Sequence, residues 1–305
     1  MLLGRRGLSQ GSTKKRAALA EGLGTILNVS RNLFDKINAF WEERGTQRVT
    51  GTLVLLGFMA ILIMAELNRQ GFIPEGLGLH LPSNPFFAVN AAFTLLLFFE
   101  IIALVFSLSK SVASSLGKQF EVFSLFLLRR SFEELTVFDG FIGWQEASDA
   151  IMPMFMDALG AFFVFTALGF FYRFQRHTTT IPNTRDLENF INSKKLIGLA
   201  LLGVFVFICV DETVRLVAGV HTYPFFEAFY TVLIFSDILI VLLSLRYSQT
   251  YRVVFRNSGF VLATVFMRLA MTAPDTLNAI VGVASILLAL CLTLAYNAYE
   301  SFGIH

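Results

Sequence analysis

Charged residues are scarce in this chain. Asp, Glu, Lys and Arg make up 15% of its 305 residues, against roughly 25% in soluble domains, so it lacks the polar surface a soluble fold of this size needs. Cysteine is nearly absent too. Cys209 and Cys291 both lie in apolar runs, which excludes a disulfide-stapled scaffold and reads as two small buried hydrophobes. Seven prolines without a glycine period exclude a collagen-like chain. No CxxC, HExxH, GxGxxG or Walker-type loop occurs, so neither a metal motif nor a phosphate cradle is expected. No cofactor is expected. The net charge of +2 gives no reason to expect nucleic acid as a partner. The leader MLLGRRGLSQGSTKKRA carries five basic residues and no uninterrupted apolar stretch, unlike a signal peptide.

What is present is apolar. Hydrophobic residues reach 55%, Phe alone contributes 34, and the mean hydropathy is +0.66. These values predict an all-α, multi-pass membrane protein with the lipid bilayer as its first partner. Between Leu19 and Trp41 apolar residues recur at helical spacing, with Asn28, Arg31, Asp35 and Lys36 on the other face. Residues 1–48 thus read as a cytoplasmic basic leader and an amphipathic helix at the membrane interface, or one packed on a partner subunit.

Apolar segments of spanning length begin near Thr52, Phe86, Phe155, Ile197, Phe225 and Leu277, and none is expected to contain an interior proline. Two shorter ones, Phe120–Leu135 and Val253–Met271, are interrupted by Arg129 and Arg130 and by Arg256 and Arg268. If all eight cross with the N-terminus inside, 19 of the 24 Lys and Arg face the cytoplasm, while the opposite loops hold acids such as Glu75 and Asp139. The positive-inside rule therefore predicts eight spans and two cytoplasmic termini, in the cell (inner) membrane.

An internal repeat organises these spans. LLGFMAILIMAELNR (55–69) aligns without gaps on LLGVFVFICVDETVR (201–215), and the PFF segments beginning at Asn84 and Tyr223 align next. Glu66 and Glu212, Arg69 and Arg215, Glu100 and Asp237, and Arg130 and Arg268 coincide. The expectation is two tandem four-helix repeats of the same orientation, 49–175 and 196–298, joined by a basic cytoplasmic linker at 176–195 and followed by a tail at 299–305. Four spans per copy put the pseudo-two-fold along the membrane normal.

Those eight ionisable residues are the candidate transport residues, because charge inside a span is costly and faces protein or water. Arg130, taken about 14 Å above the inner edge, and Glu100, about 9 Å above it, are expected to pair. Arg268 and Asp237 are expected to do the same. His80 and His221 precede the two PFF motifs and are weak candidates for a metal across the pseudo-two-fold. The fourth helices lack the regularly spaced arginines of a voltage sensor, and no lysine within a span could form a retinal Schiff base. No nucleophile or metal cluster at depth suggests an enzyme. The reading is a channel or transporter for a small ion or solute, with a polar path between the repeats. The alternative is a non-catalytic subunit or scaffold of a larger membrane complex, with partner subunits or a homodimer.

Overall fold

The computed structural model describes residues 28–72, 84–137, 144–175, 184–218, 225–247 and 250–301. Among these, nine α-helices and no strand occur: α1 (28–42), α2 (Arg44–Arg69), α3 (Phe87–Ser107), α4 (Val112–Glu133), α5 (Trp144–Phe174), α6 (Thr184–Val217), α7 (Phe225–Tyr247), α8 (Tyr251–Thr272) and α9 (Asp275–Ser301). A short 3₁₀ turn, Glu134–Val137, follows α4.

Local chemistry sets several boundaries. Helix α2 ends where Gly71 takes a positive φ of 76°. The Phe72 amide then donates to the Leu67 carbonyl and the Gly71 amide to that of Asn68, satisfying carbonyls that a helix end otherwise leaves open. Asn84 starts α3: its Oδ1 accepts from the Phe86 amide at 2.9 Å, and its amide donates to the Thr136 carbonyl at 2.7 Å. Ser111 caps α4, accepting from the Ser114 amide at 3.1 Å. Pro274 lies in the break between α8 and α9 and accepts from the Leu277 and Asn278 amides.

All helices but α1 and α4 are long and apolar enough to cross a membrane, and the chain is a helical multi-pass membrane protein. Both segments expected to be short prove to be full helices of 22 residues, about 33 Å long. Only α4 is too polar to qualify by composition. It is nevertheless among the most enclosed helices, packed by α3, α5, α8 and α9. Its contacts show how it runs. Lys118 meets Glu100, Arg129 meets Asn90, and Phe132 stacks on Phe93, so α4 lies antiparallel along the length of α3. Against α5, Ser131 donates to the Met154 carbonyl and the Tyr172 hydroxyl donates to Glu121, again antiparallel.

Helix α2 lies at the other extreme. Only Ala65 is buried along its 26 residues, and Leu53, Leu56, Met59 and Ile63 face outward, as a lipid-exposed helix requires. Helix α1 docks through Phe34, which is buried against Phe106 of α3 and beside Gly198 of α6. Asp35 pairs with Lys195 at 2.6 Å, and Glu42 with Lys110 at 3.6 Å. The amphipathic pattern thus serves packing on the bundle, while Val29, Leu33 and Phe40 remain exposed.

The expectation of proline-free spans is corrected. Helix α5 begins well before Phe155 and contains Pro153, which has no amide to donate to the preceding turn. Helices α5 and α9 meet at small residues: a Cβ added at Gly160 would lie 2.7 Å from the Ala279 Cβ and 3.4 Å from the Leu127 side chain. Small residues of this kind let membrane helices approach closely. Gly160→Ala should therefore lower stability in detergent by about 1–3 kcal/mol through overpacking. Gly203→Ala on α6, with nothing within 4 Å, should be neutral or slightly stabilising. Thermal unfolding of the two variants checks the contrast.

Candidate functional site at the α4–α8 contact

Arg268 of α8 is only 2% exposed and among the largest fully enclosed side chains. A guanidinium keeps its charge at any accessible pH, so at such burial it needs acceptors. Its Nη2 donates to Gln119 Oε1 on α4 at 3.1 Å. The Gln119 amide turns its nitrogen to Asp237 of α7, 3.1 and 3.2 Å from the two carboxylate oxygens. Gln119 therefore bridges cation and anion, accepting from one and donating to the other. The pairing expected between Arg268 and Asp237 is corrected to this three-residue chain. Gln119 and Asp237 are themselves buried.

Tyr230, one and a half turns from the start of α7, covers the other side of Arg268, its ring centroid 5.2 Å from the guanidinium carbon. This is a cation–π contact in a desolvated place. The Tyr230 hydroxyl and the Arg268 Nε are both buried without a hydrogen-bond partner.

Two spaces flank the chain of three. Below Gln119 and Asp237 a cavity of about 20 Å³, lined also by Ser115 and Thr264, has room for about one water. On Tyr230's side a cavity of about 500 Å³ opens between the ends of α4, α7 and α8, with Arg129, Arg130, Glu133, Glu134, Glu227 and Tyr230 among its walls. Gln119 and Asp237 line the narrow cavity, whereas the wide one is bounded at this level by Phe126, Tyr230 and Met271. Asp237 is the one member whose charge can change by taking a proton.

The other sequence candidates are distributed differently. Glu100 pairs with Lys118 at 2.7 Å, and Lys118 also reaches Glu121 at 3.0 Å. Arg130 faces Asp157 of α5 at 3.8 Å. The expected Arg130–Glu100 pair is thus corrected, and the reason is the helix start. Helix α4 begins at Val112 rather than Phe120, placing Arg130 about 27 Å along it instead of about 14 Å. Glu66 pairs with Arg69 at 2.9 Å within α2. Arg215 chooses Asp211, at 2.7 Å, and Glu212 lies beside them on α6. Glu66, Arg69, Glu212 and Arg215 all belong to the partly exposed ends of α2 and α6, apart from the buried chain. His80 and His221 lie outside the described residues, as do Glu75 and Asp139. Among the described residues no cluster of three metal-ligating side chains occurs.

Sequence reasoning missed Gln119 and Asp157. A signal for the first was available: Gln119 and Asn257 are 138 positions apart, the same offset that relates Arg130 to Arg268. Lys118 and Arg256 share it too.

No family model matches the chain, and no curated protein or solved structure matches it either.

Replacing Arg268 alone with Met should strand Asp237 and half of Gln119's hydrogen bonding, costing about 3–5 kcal/mol. The triple variant Arg268→Met/Gln119→Leu/Asp237→Leu removes every partner together and should fold in higher yield than the single variant. The folded fraction on size-exclusion chromatography in detergent reads the difference.

Proposed function

We propose that the chain is a transporter for a small ion or solute rather than an enzyme, with its polar path along the contact between two four-helix repeats. One observation carries the reading: a buried Arg268–Gln119–Asp237 chain joins α4 to α7 and α8, with a narrow cavity against Gln119 and Asp237 and a wide one at Tyr230, the residue that covers Arg268. Ionisable groups at such depth are expensive, and they characteristically mark substrate or ion pathways. The wide cavity ends at Tyr230, whose ring covers Arg268, and this closed wall favours a carrier with a gated site over an open pore.

The repeat architecture belongs to the same proposal. Helices α2–α5 form one copy and α6–α9 the other. In each, consecutive helices pack on one another, and across the copies α4 packs on α8 and α5 on α9, third helix on third and fourth on fourth. Matching offsets add support: Lys118 with Arg256, Gln119 with Asn257, Arg130 with Arg268. The aromatic partners match as well, since Tyr172 accompanies the Lys118 cluster and Tyr296 covers Arg256 at 4.4 Å. Helix α4 then crosses as the eighth span. Its antiparallel course between two spanning helices supports this, and so does the enclosure that spares its charges from lipid. Both termini lie on the cytoplasmic side in this reading, with α1 at the inner interface.

The alternative, a non-catalytic subunit of a larger complex, draws support from the exposed Val29, Leu33 and Phe40 on α1, which a partner subunit or second copy could cover.

Two measurements test the proposal. In a variant lacking Cys209 and Cys291, single cysteines at Lys110 and Thr250 should both be protected from an impermeant thiol reagent in intact cells. Labelling at only one of the two would mean that α4 does not cross. Reconstituted in proteoliposomes, the chain should support solute flux above protein-free vesicles, and Asp237→Asn should abolish flux while leaving a folded protein. Absence of flux for every solute tried, with partners that persist through purification, would favour the subunit.

A further inference from the structure

The two halves of the chain differ in charge at one place. In α4, Lys118 is held between Glu100 and Glu121 at 2.7 and 3.0 Å, and the Tyr172 hydroxyl donates to Glu121. At the positions 138 further on, Ser114, Lys118 and Glu121 give way to Arg252, Arg256 and Gly259. The acid has no counterpart there, and a second cation has been added. Asp237, which aligns with Glu100, is engaged by Gln119 instead. Gly259 makes room for α9, since a Cβ on it would lie 2.7 Å from the Leu292 side chain. One cation between two carboxylates in α4 thus becomes two arginines in the first two turns of α8.

Each of these guanidinium groups lies against a tyrosine of α9. Arg256 is 4.4 Å from the centroid of the Tyr296 ring, and Arg252 is 5.7 Å from that of Tyr299. Stacking covers one face of a guanidinium, while its N–H groups point outward in its own plane and stay open to an acceptor. Among the described residues Arg252 makes no hydrogen bond or ion pair, and both arginines are only partly buried. Arg246, in the last turn of α7, adds a cation at the same end of the bundle. Cations in the first turns of a helix also work against its macrodipole, which an anion beside them offsets.

The face below Arg252 is apolar and open. Phe255, Leu262, Phe266 and Leu269 follow it at spacings of three, four and seven, which share one side of a helix, and they are between 40% and 57% exposed. The 22 residues of α8 are about 33 Å long, close to the thickness of a bilayer core, so its first two turns stand at headgroup level.

We infer that the outer groove between α8 and α9 binds an anionic phospholipid. Its phosphate accepts from the open edges of Arg252 and Arg256, and an acyl chain lies along Phe255, Leu262, Phe266 and Leu269. A free phosphate ion uses only the cationic end. A choline lipid brings a positive group that the arginines repel. A lipid of net negative charge answers both parts of the groove. In the topology proposed above it belongs to the cytoplasmic leaflet, where anionic headgroups meet basic residues at helix ends. The inference goes beyond the transport reading and holds for a carrier and for a subunit alike.

The test uses the full chain, purified in detergent and stripped of lipid. It is titrated with phosphatidylglycerol, with phosphatidylcholine of the same acyl chains, and with inorganic phosphate, while native mass spectrometry counts bound lipid and thermal unfolding is followed in parallel. Phosphatidylglycerol should be retained and should raise the unfolding temperature. Phosphatidylcholine should bind at least about tenfold more weakly, since neither arginine gains a net anionic partner. Inorganic phosphate at equal concentration should have no effect. Arg252→Gln should weaken phosphatidylglycerol binding at least about fivefold, the weight of one basic residue at an anionic surface. Arg252→Lys should restore part of the loss, because it keeps the charge without the planar fork. Arg48→Gln removes an exposed cation near the start of α2 and should leave binding unchanged. Equal retention of the two lipids would overturn the inference. Equal losses in Arg252→Gln and Arg48→Gln would replace the site with a general attraction to basic ends. Stabilisation by inorganic phosphate as strong as that by phosphatidylglycerol would overturn it in favour of a soluble anion.

Discussion

A guanidinium that cannot lose its proton, enclosed among membrane helices, constrains everything near it. Arg268 needs acceptors that lipid cannot supply, and it finds one in the side-chain amide of Gln119 on a helix far away in sequence. Gln119 can serve because it is at once an acceptor and a donor, passing the charge's influence on to Asp237. Three helices are thereby fixed relative to one another. Removing any single member leaves a polar group with nowhere to turn, so the contact specifies the arrangement more than it stabilises it.

The surrounding architecture follows from keeping that chain dry. Helix α4 carries Lys118, Glu121, Arg129, Arg130 and Glu133, too many charges for a lipid-facing segment. It is placed where α3, α5, α8 and α9 cover it, and the charges find partners on those neighbours or within the helix: Glu100, Glu121, Asp157, Asn90 and Glu133. The apolar helices take the outer positions, α2 above all. Close approach at Gly160 and Ala279 lets α5 and α9 seal one side, while aromatic contacts among Phe98, Phe205 and Phe225 join α3, α6 and α7 on another.

How much of this was legible in the sequence depended on the kind of signal. Composition gave the membrane class, and each of the six apolar runs of spanning length falls on a helix long and apolar enough to cross, although α2, α5 and α6 begin 8, 11 and 13 residues before their runs. Arg268 and Asp237 were visible because charge within an apolar run is conspicuous. Gln119 was not, since a neutral amide attracts no attention until one knows which helix it faces. The Arg130–Glu100 expectation failed for a related reason. Counting depth from the apolar run placed the start of α4 at Phe120, while the polar stretch VASSLGKQ already belongs to the helix. In an antiparallel hairpin, residues equally far from the turn meet, and by that rule Lys118 is the partner of Glu100. Apolar content marks where lipid is, not where a shielded helix begins.

Gln119 and Asp237 join the two halves of the chain through their hydrogen bond. A double-mutant cycle with Gln119→Ala and Asp237→Ala, read from unfolding in detergent, measures this directly. A coupling of about 1 kcal/mol or more is predicted, since the hydrogen bond joins a buried amide to a charged group. Additive effects within about 0.3–0.5 kcal/mol would contradict it, showing that the two side chains do not meet and that the contact between α4 and the second half is held by something else.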